Sequence, residues 1–121
     1  MSIGVLLALG SNLGDSAAIL RLASKELSVF SRTELIASSI WKSSPEGFTS
    51  EVPEFFNAVI YITVEMPPEV LLDEVLLLEK KLGRIREKKT KKYSSRSIDI
   101  DIIDYGGLVY RSDKLILPHP R

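Results

Sequence analysis

Two aspartates separated by one residue are the sharpest chemical feature of the chain. Asp99 and Asp101 lie in the stretch Ile98 to Ile102, in which isoleucine and aspartate alternate strictly. In an extended strand this alternation places both carboxylates on one face, about 6–7 Å apart, with the isoleucines facing the core. The like charges repel each other, and a shared hard cation such as Mg²⁺ relieves that repulsion. The pair predicts a magnesium site, and the alternative is an edge strand with a solvated acidic face.

A strongly basic segment precedes these aspartates. Residues 80–96 carry nine Lys and Arg against Glu87 alone, whereas residues 1–79 have a net charge of −7, so the formal net charge of zero is a balance of opposed regions. Arg96 is three residues from Asp99, and a bound anion would therefore lie next to the metal. Guanidinium groups can bind phosphate oxygens in bidentate fashion. A solvated loop and a nucleic-acid contact surface are the alternatives.

Three other positions are candidates for binding. Phe55 and Asn57 would share one face of a strand, and an aromatic ring beside an amide suits a flat heterocycle. An amide satisfied by the backbone is the equally good alternative for Asn57. His119 stands between two prolines and could equally be an exposed loop residue. The Gly10-Ser11-Asn12 stretch is explained by a turn that caps a helix and is a weak phosphate-loop candidate.

The elements that must position these residues follow from hydrophobic periodicity and from Pro and Gly signals. Gly83 is expected to cap the second helix, and the basic segment 84–96 is expected to be a loop. The order predicts an α+β domain with a ferredoxin-like β-α-β-β-α-β antiparallel sheet and helices on one face, spanning 1–121 as a single domain. The predicted elements are a strand over 3–9, a helix over 15–31, strands over 35–42 and 55–64, a helix beginning at Pro67-Pro68, and a strand over 98–102.

Composition excludes several classes of protein. With 45% hydrophobic and 26% charged residues, the 121-residue chain is typical of a soluble globular domain. Its apolar runs are too short to span a bilayer, and its first residues lack the pattern expected of a secretory signal. The absence of cysteine excludes disulfides and thiolate chemistry, and a single histidine argues against a His-rich zinc site. We therefore expect a cytoplasmic protein.

Five sequence blocks, in order along nearly the whole chain, resemble the 6-hydroxymethyl-7,8-dihydropterin pyrophosphokinase (2-amino-4-hydroxy-6-hydroxymethyldihydropteridine diphosphokinase) family. The resemblance implies a ferredoxin-like core and a Mg²⁺-dependent transfer of pyrophosphate from ATP to the pterin hydroxymethyl oxygen, releasing AMP, in folate biosynthesis. The blocks are Ala8 to Gly14, Phe55-Phe56-Asn57-Ala58, Glu79 with Gly83-Arg84-Ile85-Arg86, Arg96 to Ile102, and Leu117 to Arg121.

The resemblance also implies a role for each matching position. Asp99 and Asp101 would bind two Mg²⁺ ions and act in catalysis together with Arg84, Arg86 and Arg96. The nucleotide ATP would be bound by Glu79, Arg86, Arg96, Ile102 and His119. The pterin would be bound by Ser44, Pro45, Phe55, Asn57 and Tyr93. ATP and the pterin are the expected partners, with no nucleic acid, no membrane and a monomeric state.

The chain departs from the family pattern in two places. Tyr93-Ser94-Ser95 stands where the family commonly has a Trp-Gly-Pro-like run, and the family's usual C-terminal segment is expected to be missing. Two other functions stay open: an inactive relative that binds nucleotide or pterin, and an RNA-binding ferredoxin-like module. Against the RNA-binding module, Phe55-Phe56 is not part of an RNP1-like sequence and residues 1–79 are acidic.

Overall fold

A computed structural model of the chain describes residues 2–11, 16–43, 55–87 and 98–120. It has α+β architecture, with antiparallel strands and two helices, as the sequence predicts. The elements are β1 (Ile3–Ser11), α1 (Ser16–Ser28), β2 (Ile36–Ala37), β3 (Trp41–Ser43), β4 (Phe55–Val64), α2 (Pro68–Glu87), β5 (Asp99–Tyr105), β6 (Tyr110–Arg111) and β7 (Ile116–Leu117).

The main sheet has the strand order β2-β4-β1-β5. Strand β3 also pairs with β4, at a different part of that strand from β2. Each pairing is antiparallel. This order, with one helix between β1 and β2 and the other between β4 and β5, is consistent with the predicted ferredoxin-like fold. Neither helix in the described part of the chain is both long and apolar enough to cross a membrane.

One face of the sheet and both helices enclose the hydrophobic core. Alternate residues of β1, β4 and β5 are buried, which leaves the intervening residues on the opposite face, called the outer face below. The helical stripes predicted from periodicity and the inward orientation of the three isoleucines of β5 are confirmed. The buried residues that establish this are Leu20, Ala23, Leu27, Leu71, Val75, Leu78, Leu82, Ile98, Ile100 and Ile102.

The prediction of one continuous strand over 35–42 is wrong, because β2 and β3 are separated at Ser38. The Ser38 amide donates to the carbonyl of Val59, and the Ser38 hydroxyl accepts the Val59 amide at 2.9 Å. A side chain thus replaces the backbone acceptor that a regular ladder would use. The ladder resumes at Trp41, which pairs with Asn57.

Several predicted boundaries also differ. Helix α1 ends at Ser28 instead of residue 31, because the amides of residues 29–31 bond three residues back and tighten the chain into turns. Helix α2 continues through Gly83 to Glu87, so the predicted cap at Gly83 is wrong and the basic segment starts within a helix. Good helix formers after Gly83 offset the roughly 1 kcal/mol that glycine costs there. Strands β1 and β5 are longer than predicted, and β1 includes Gly10 and Ser11.

The sequence did not predict the small β6–β7 hairpin. It follows a turn at Gly106 and Gly107, both with positive φ, and it returns along β5, where the His119 amide donates to the Ile103 carbonyl. The Tyr110 hydroxyl donates to the Glu69 carboxylate at the start of α2. The hairpin is thereby fixed to both the sheet and a helix, and it carries His119 to the edge of β5.

Candidate active site

A row of four residues crosses the outer face of the sheet. Trp41 on β3 lies opposite Asn57 on β4, Asn57 lies opposite Gly10 on β1, and Gly10 lies opposite Asp99 on β5. Residues directly opposite each other in antiparallel strands share a face. With about 4.8 Å between strands, the backbones at Asn57 and Asp99 are about 10 Å apart.

A second row, two residues away along the strands, repeats this arrangement with Val59, Ala8 and Asp101. In both rows the central strand contributes a small residue, Gly10 or Ala8. The outer face therefore has a low floor between an amide on one side and two carboxylates on the other. Such a trough can receive a flat molecule across β1.

The predicted positions of Asp99 and Asp101 on one face of a strand agree with the structure. Both are on β5, where Asp99 is exposed and Asp101 is half-buried, while Ile100 between them is buried. The described residues contain no group of three or more His, Asp and Glu side chains that could hold a metal ion. A metal bound here would thus take its remaining ligands from a bound molecule or from water, as Mg²⁺ commonly does with phosphates.

Glu79 connects helix α2 to the middle of this acidic pair. Its Oε2 accepts a hydrogen bond from the backbone amide of Ile100 at 2.7 Å. Because β5 has β1 as its neighbour on one side only, an amide on its free side needs an acceptor from outside the sheet. The carboxylate of Glu79 meets this need at the peptide that joins Asp99 to Ile100.

A cavity of about 250 Å³ adjoins Asp101 on the free side of β5. Its walls include Asp101, Ile102 and His119, together with Leu72 from α2 and Lys114 from the hairpin. The His119 Nε2 lies 3.9 Å from the Asp101 Oδ1, and the His119 side chain is 20% exposed. The volume is just below that of typical small-molecule sites, about 300–1,000 Å³, and suits one planar fragment instead of a whole nucleotide.

The structure brings together six of the predicted residues: Asp99, Asp101, Ile102 and His119 around β5, Glu79 behind it and Asn57 across the trough. The backbone of Phe55 lies at the start of β4, opposite Ser43. The backbones of Arg84 and Arg86 lie near the C-terminal end of α2. The predicted contacts of Ser44, Pro45, Tyr93 and Arg96 lie outside the described residues.

Sequence reasoning missed Trp41 as a functional candidate. Its pattern indicated only a strand, whereas the register places the indole beside Asn57 on the outer face. Trp41 is 45% exposed and is the single tryptophan of the chain. Its place in one row with Asn57 and Asp99 makes it a candidate for contact with a ligand, but that row depends on the β3–β4 register, which the sequence does not show.

Comparison with known proteins identifies the family of the chain. The family model described as 7,8-dihydro-6-hydroxymethylpterin-pyrophosphokinase (HPPK) matches residues 6–121. The chain belongs to this family. The resemblance inferred from the sequence blocks is thereby confirmed, and with it the family's chemistry, which transfers pyrophosphate from ATP to hydroxymethyldihydropterin in folate biosynthesis.

Curated HPPK relatives cover almost all of the chain. It is 38% identical over 114 residues to the 2-amino-4-hydroxy-6-hydroxymethyldihydropteridine pyrophosphokinase of Haemophilus influenzae, covering 93% of this chain and 69% of that protein. It is 38% identical over 120 residues to the enzyme of the same name from Porphyromonas gingivalis, covering 97% and 80%. It is also 38% identical over 117 residues to the folic acid synthesis protein fol1 of Pneumocystis carinii, covering 97% of this chain and 15% of fol1.

Proposed function

We propose that this chain transfers pyrophosphate from ATP to 6-hydroxymethyl-7,8-dihydropterin, on a ferredoxin-like frame and with two Mg²⁺ ions. The observation that carries the proposal is the placement of Asp99 and Asp101 across a small-residue floor from Asn57, in a chain of the HPPK family. The pterin hydroxymethyl oxygen attacks the β-phosphorus of ATP. The bond from that phosphorus to the α-phosphate oxygen breaks, AMP leaves, and the hydroxyl proton is released to solvent.

The donor set of β5 fits Mg²⁺, a hard cation that binds through one or two carboxylates together with phosphate oxygens. Asp99 and Asp101 are the residues that would hold it. When bound, Mg²⁺ lowers the charge repulsion that opposes attack on a triphosphate. Arg84, Arg86 and Arg96 are proposed to bind the phosphate oxygens, because a guanidinium group donates in a fork that matches them.

The pterin and the adenine base are proposed to bind on opposite sides of the aspartates. Asn57 donates to and accepts from the pterin edge, since an amide offers both kinds of group. Phe55, Tyr93, Ser44 and Pro45 complete the proposed pterin pocket. On the other side, the cavity lined by Ile102 and His119 takes the base, and Glu79 stands behind the strand between the two.

This division of the site makes catalysis mainly a matter of positioning. The reacting hydroxyl and the triphosphate are held over the same strand, so that a reaction between two bound molecules becomes effectively intramolecular. We propose that the chain acts as a monomer in the cytoplasm. The absence of cysteine is compatible with that reducing compartment.

Conservative substitutions of the two aspartates test the proposal. Asp99→Asn and Asp101→Asn keep the shape of the side chain and remove one metal-binding charge. We expect each to lower the rate of AMP formation about a hundredfold or more, because the triphosphate charge is no longer balanced. Unfolding should show no loss of stability, since the substitution also removes repulsion between like charges.

Asp104→Asn is the matched control. Asp104 lies on the same strand, where its Oδ2 accepts the Gly107 amide at 3.3 Å, and asparagine retains an acceptor. Its AMP formation should stay within about twofold of the parent chain, as expected for a substitution away from the site. Equal losses in all three variants would contradict a specific role for Asp99 and Asp101.

A further inference from the structure

We propose that Glu79 is a positioning residue for the aspartate pair. By accepting the amide of Ile100, its carboxylate holds the backbone between Asp99 and Asp101 in the conformation that aims both side chains at one metal site. This inference rests on the proposed function for its purpose and deepens it. The role is different from the nucleotide contact that the family resemblance implies for Glu79.

The first support is the place of the hydrogen bond. Glu79 Oε2 lies 2.7 Å from the nitrogen of Ile100, and the bond is partly buried. Glu79 lies within helix α2, so its acceptor oxygen is held at a fixed place beside the strand. Such an acceptor holds this peptide in one orientation, whereas the water that would replace it exchanges freely.

The second support is the edge of the sheet. Asp101 lies between two contacts on the free side of β5, one from Glu79 to Ile100 and one from the His119 amide to the carbonyl of Ile103. Edge strands without such contacts twist and fray more easily. The two contacts give the edge strand at Asp101 the support that a further strand would give it.

The third support is the direction of the groups. Asp99 and Asp101 project to the outer face, whereas the amide that Glu79 binds lies along the edge of the sheet. Glu79 also does not form a group of three potential metal ligands with them in the described part of the chain. Its carboxylate therefore acts on the backbone of the pair and not as a third metal ligand.

The need for such support follows from the metal. Mg²⁺ accepts only small departures from octahedral geometry, and two carboxylates two residues apart meet it only if the strand keeps its pleat. A change in the backbone torsions at Ile100 would move one carboxylate relative to the other. Residues that orient ligands in this way typically change metal affinity about 10–100-fold when they are replaced.

Two substitutions of Glu79 separate the effect of its side-chain length from the effect of its charge. Glu79→Gln keeps the length and an acceptor oxygen but removes the charge, while Glu79→Asp keeps the charge but is one methylene too short to reach Ile100. If Glu79 positions the strand, the Gln variant should resemble the parent chain and the Asp variant should be impaired. Glu26→Ala is the control, because it removes a contact of 2.6 Å between α1 and Lys81 on α2 and leaves the hydrogen bond to Ile100 in place.

The readouts do not depend on turnover. In the metal-free protein, the Ile100 amide should exchange with solvent about tenfold faster in Glu79→Asp than in Glu79→Gln, the size expected for loss of one hydrogen bond. With a non-hydrolysable ATP analogue, Mn²⁺ binding measured by electron paramagnetic resonance should weaken about tenfold in Glu79→Asp and less than twofold in Glu79→Gln and Glu26→Ala.

Two results would overturn the inference. One is a Glu79→Gln variant that loses Mn²⁺ affinity while Glu79→Asp keeps it, which would show that Glu79 acts through its charge. The other is unchanged Ile100 exchange and Mn²⁺ binding in Glu79→Asp. Failure of the proposed function would look different, since the parent chain would then form no AMP while Ile100 exchange in the metal-free variants could still be compared.

Discussion

At the scale of single residues, the candidate site is built from side chains that lie on three adjacent strands. The small residues Gly10 and Ala8 are as important as the polar ones, because they place little or no side chain between Asn57 and the aspartates. A large side chain at either position would fill the trough. Trp41 extends the same row by one strand, next to the amide that is proposed to bind the pterin.

Trp41 is therefore expected to contact the pterin. Trp41→Ala should raise the KM for hydroxymethyldihydropterin about tenfold, because the pterin loses an aromatic contact of about 1 kcal/mol and some buried area. The KM for ATP should stay within twofold of the parent value. Trp41→Phe should retain most of the affinity. Initial rates at varied pterin and fixed ATP, and the reverse, measure both constants.

Tyr61→Ala is the control for this prediction. Tyr61 is also aromatic, 42% exposed and on the outer face of β4, but it lies four residues from Asn57 toward the other end of the strand. It should leave both constants unchanged. An equal rise in the KM for ATP in Trp41→Ala would contradict a pterin-specific contact.

Tyr105 gives the fold a dependence on alkaline pH. Burial raises the pKa of the Tyr105 phenol above its usual value of 10.0, and the hydroxyl donates to the Met66 carbonyl. The folded state therefore keeps this proton at a pH where the unfolded chain has lost it. Its contribution to stability is complete below pH 10 and falls as pH rises from 10 through the folded-state pKa.

Tyr105→Phe is expected to lower the free energy of unfolding by about 1–2 kcal/mol at pH 8, because it leaves the Met66 carbonyl without this donor. Above pH 10 the difference from the parent chain should shrink. Urea unfolding at several pH values measures it, with the exposed Tyr61→Phe as control. A difference that grows with pH would contradict the account.

At the scale of elements, a glycine keeps the outer face of β1 flat near the start of the strand as well as at the site. The ring of Tyr61 lies across Gly4, and an added Cβ at Gly4 would come within 1.9 Å of the Tyr61 hydroxyl oxygen. The glycine thus allows an aromatic side chain to cover the strand. This contact belongs to the stability of the sheet and not to the site.

Gly4→Ala should destabilise the fold by about 1 kcal/mol or less, below the usual cost of overpacking a core, because the end of the exposed Tyr61 side chain can move aside. The loss should be smaller when Tyr61 is also replaced by alanine, because the clash is then removed. Urea unfolding of the two single variants and the double variant measures the coupling. Strictly additive effects would show that Gly4 and Tyr61 do not compete for space.

Elements with a regular hydrophobic period could be predicted from the sequence. The alternation of Ile98, Ile100 and Ile102 and the stripes of both helices depend on neighbours along the chain, and their burial is confirmed. The break at Ser38 could not be predicted, since it depends on a hydrogen bond to Val59. The extension of α2 past Gly83 also escaped prediction, because a glycine signals a cap only when the chain turns there.

The residues of the site also divide into those that could be predicted from the sequence and those that could not. The aspartate pair follows from spacing two residues apart on one strand, and so it could be predicted. The positions of Trp41, of Glu79 against Ile100 and of the His119 cavity depend on register and on the β6–β7 hairpin, which join residues far apart in sequence. The sequence blocks indicated the family, and the structure added which side chains meet.

At the scale of the whole molecule, the site lies at one end of the sheet and two tyrosine contacts lie toward the other. Gly10, Asn57 and Asp99 form the site end, while Tyr105 contacts Met66 and Tyr110 contacts Glu69 near the start of α2. The basic residues of the chain are concentrated in 80–96, just before the aspartates in the sequence. The neutral chain thus has basic residues and carboxylates in neighbouring segments of its sequence, which the proposed binding of phosphates and a metal requires.

The nature of the products tests the central claim most directly. The chain should be incubated with Mg²⁺, 6-hydroxymethyl-7,8-dihydropterin and ATP labelled at the α-phosphate in one sample and at the γ-phosphate in another, and the products separated by anion exchange. Transfer of pyrophosphate predicts that the α-label appears in AMP and the γ-label in the pterin diphosphate, in equal amounts and only when the pterin is present. Labelled ADP with free phosphate, or AMP that forms without the pterin, would contradict it.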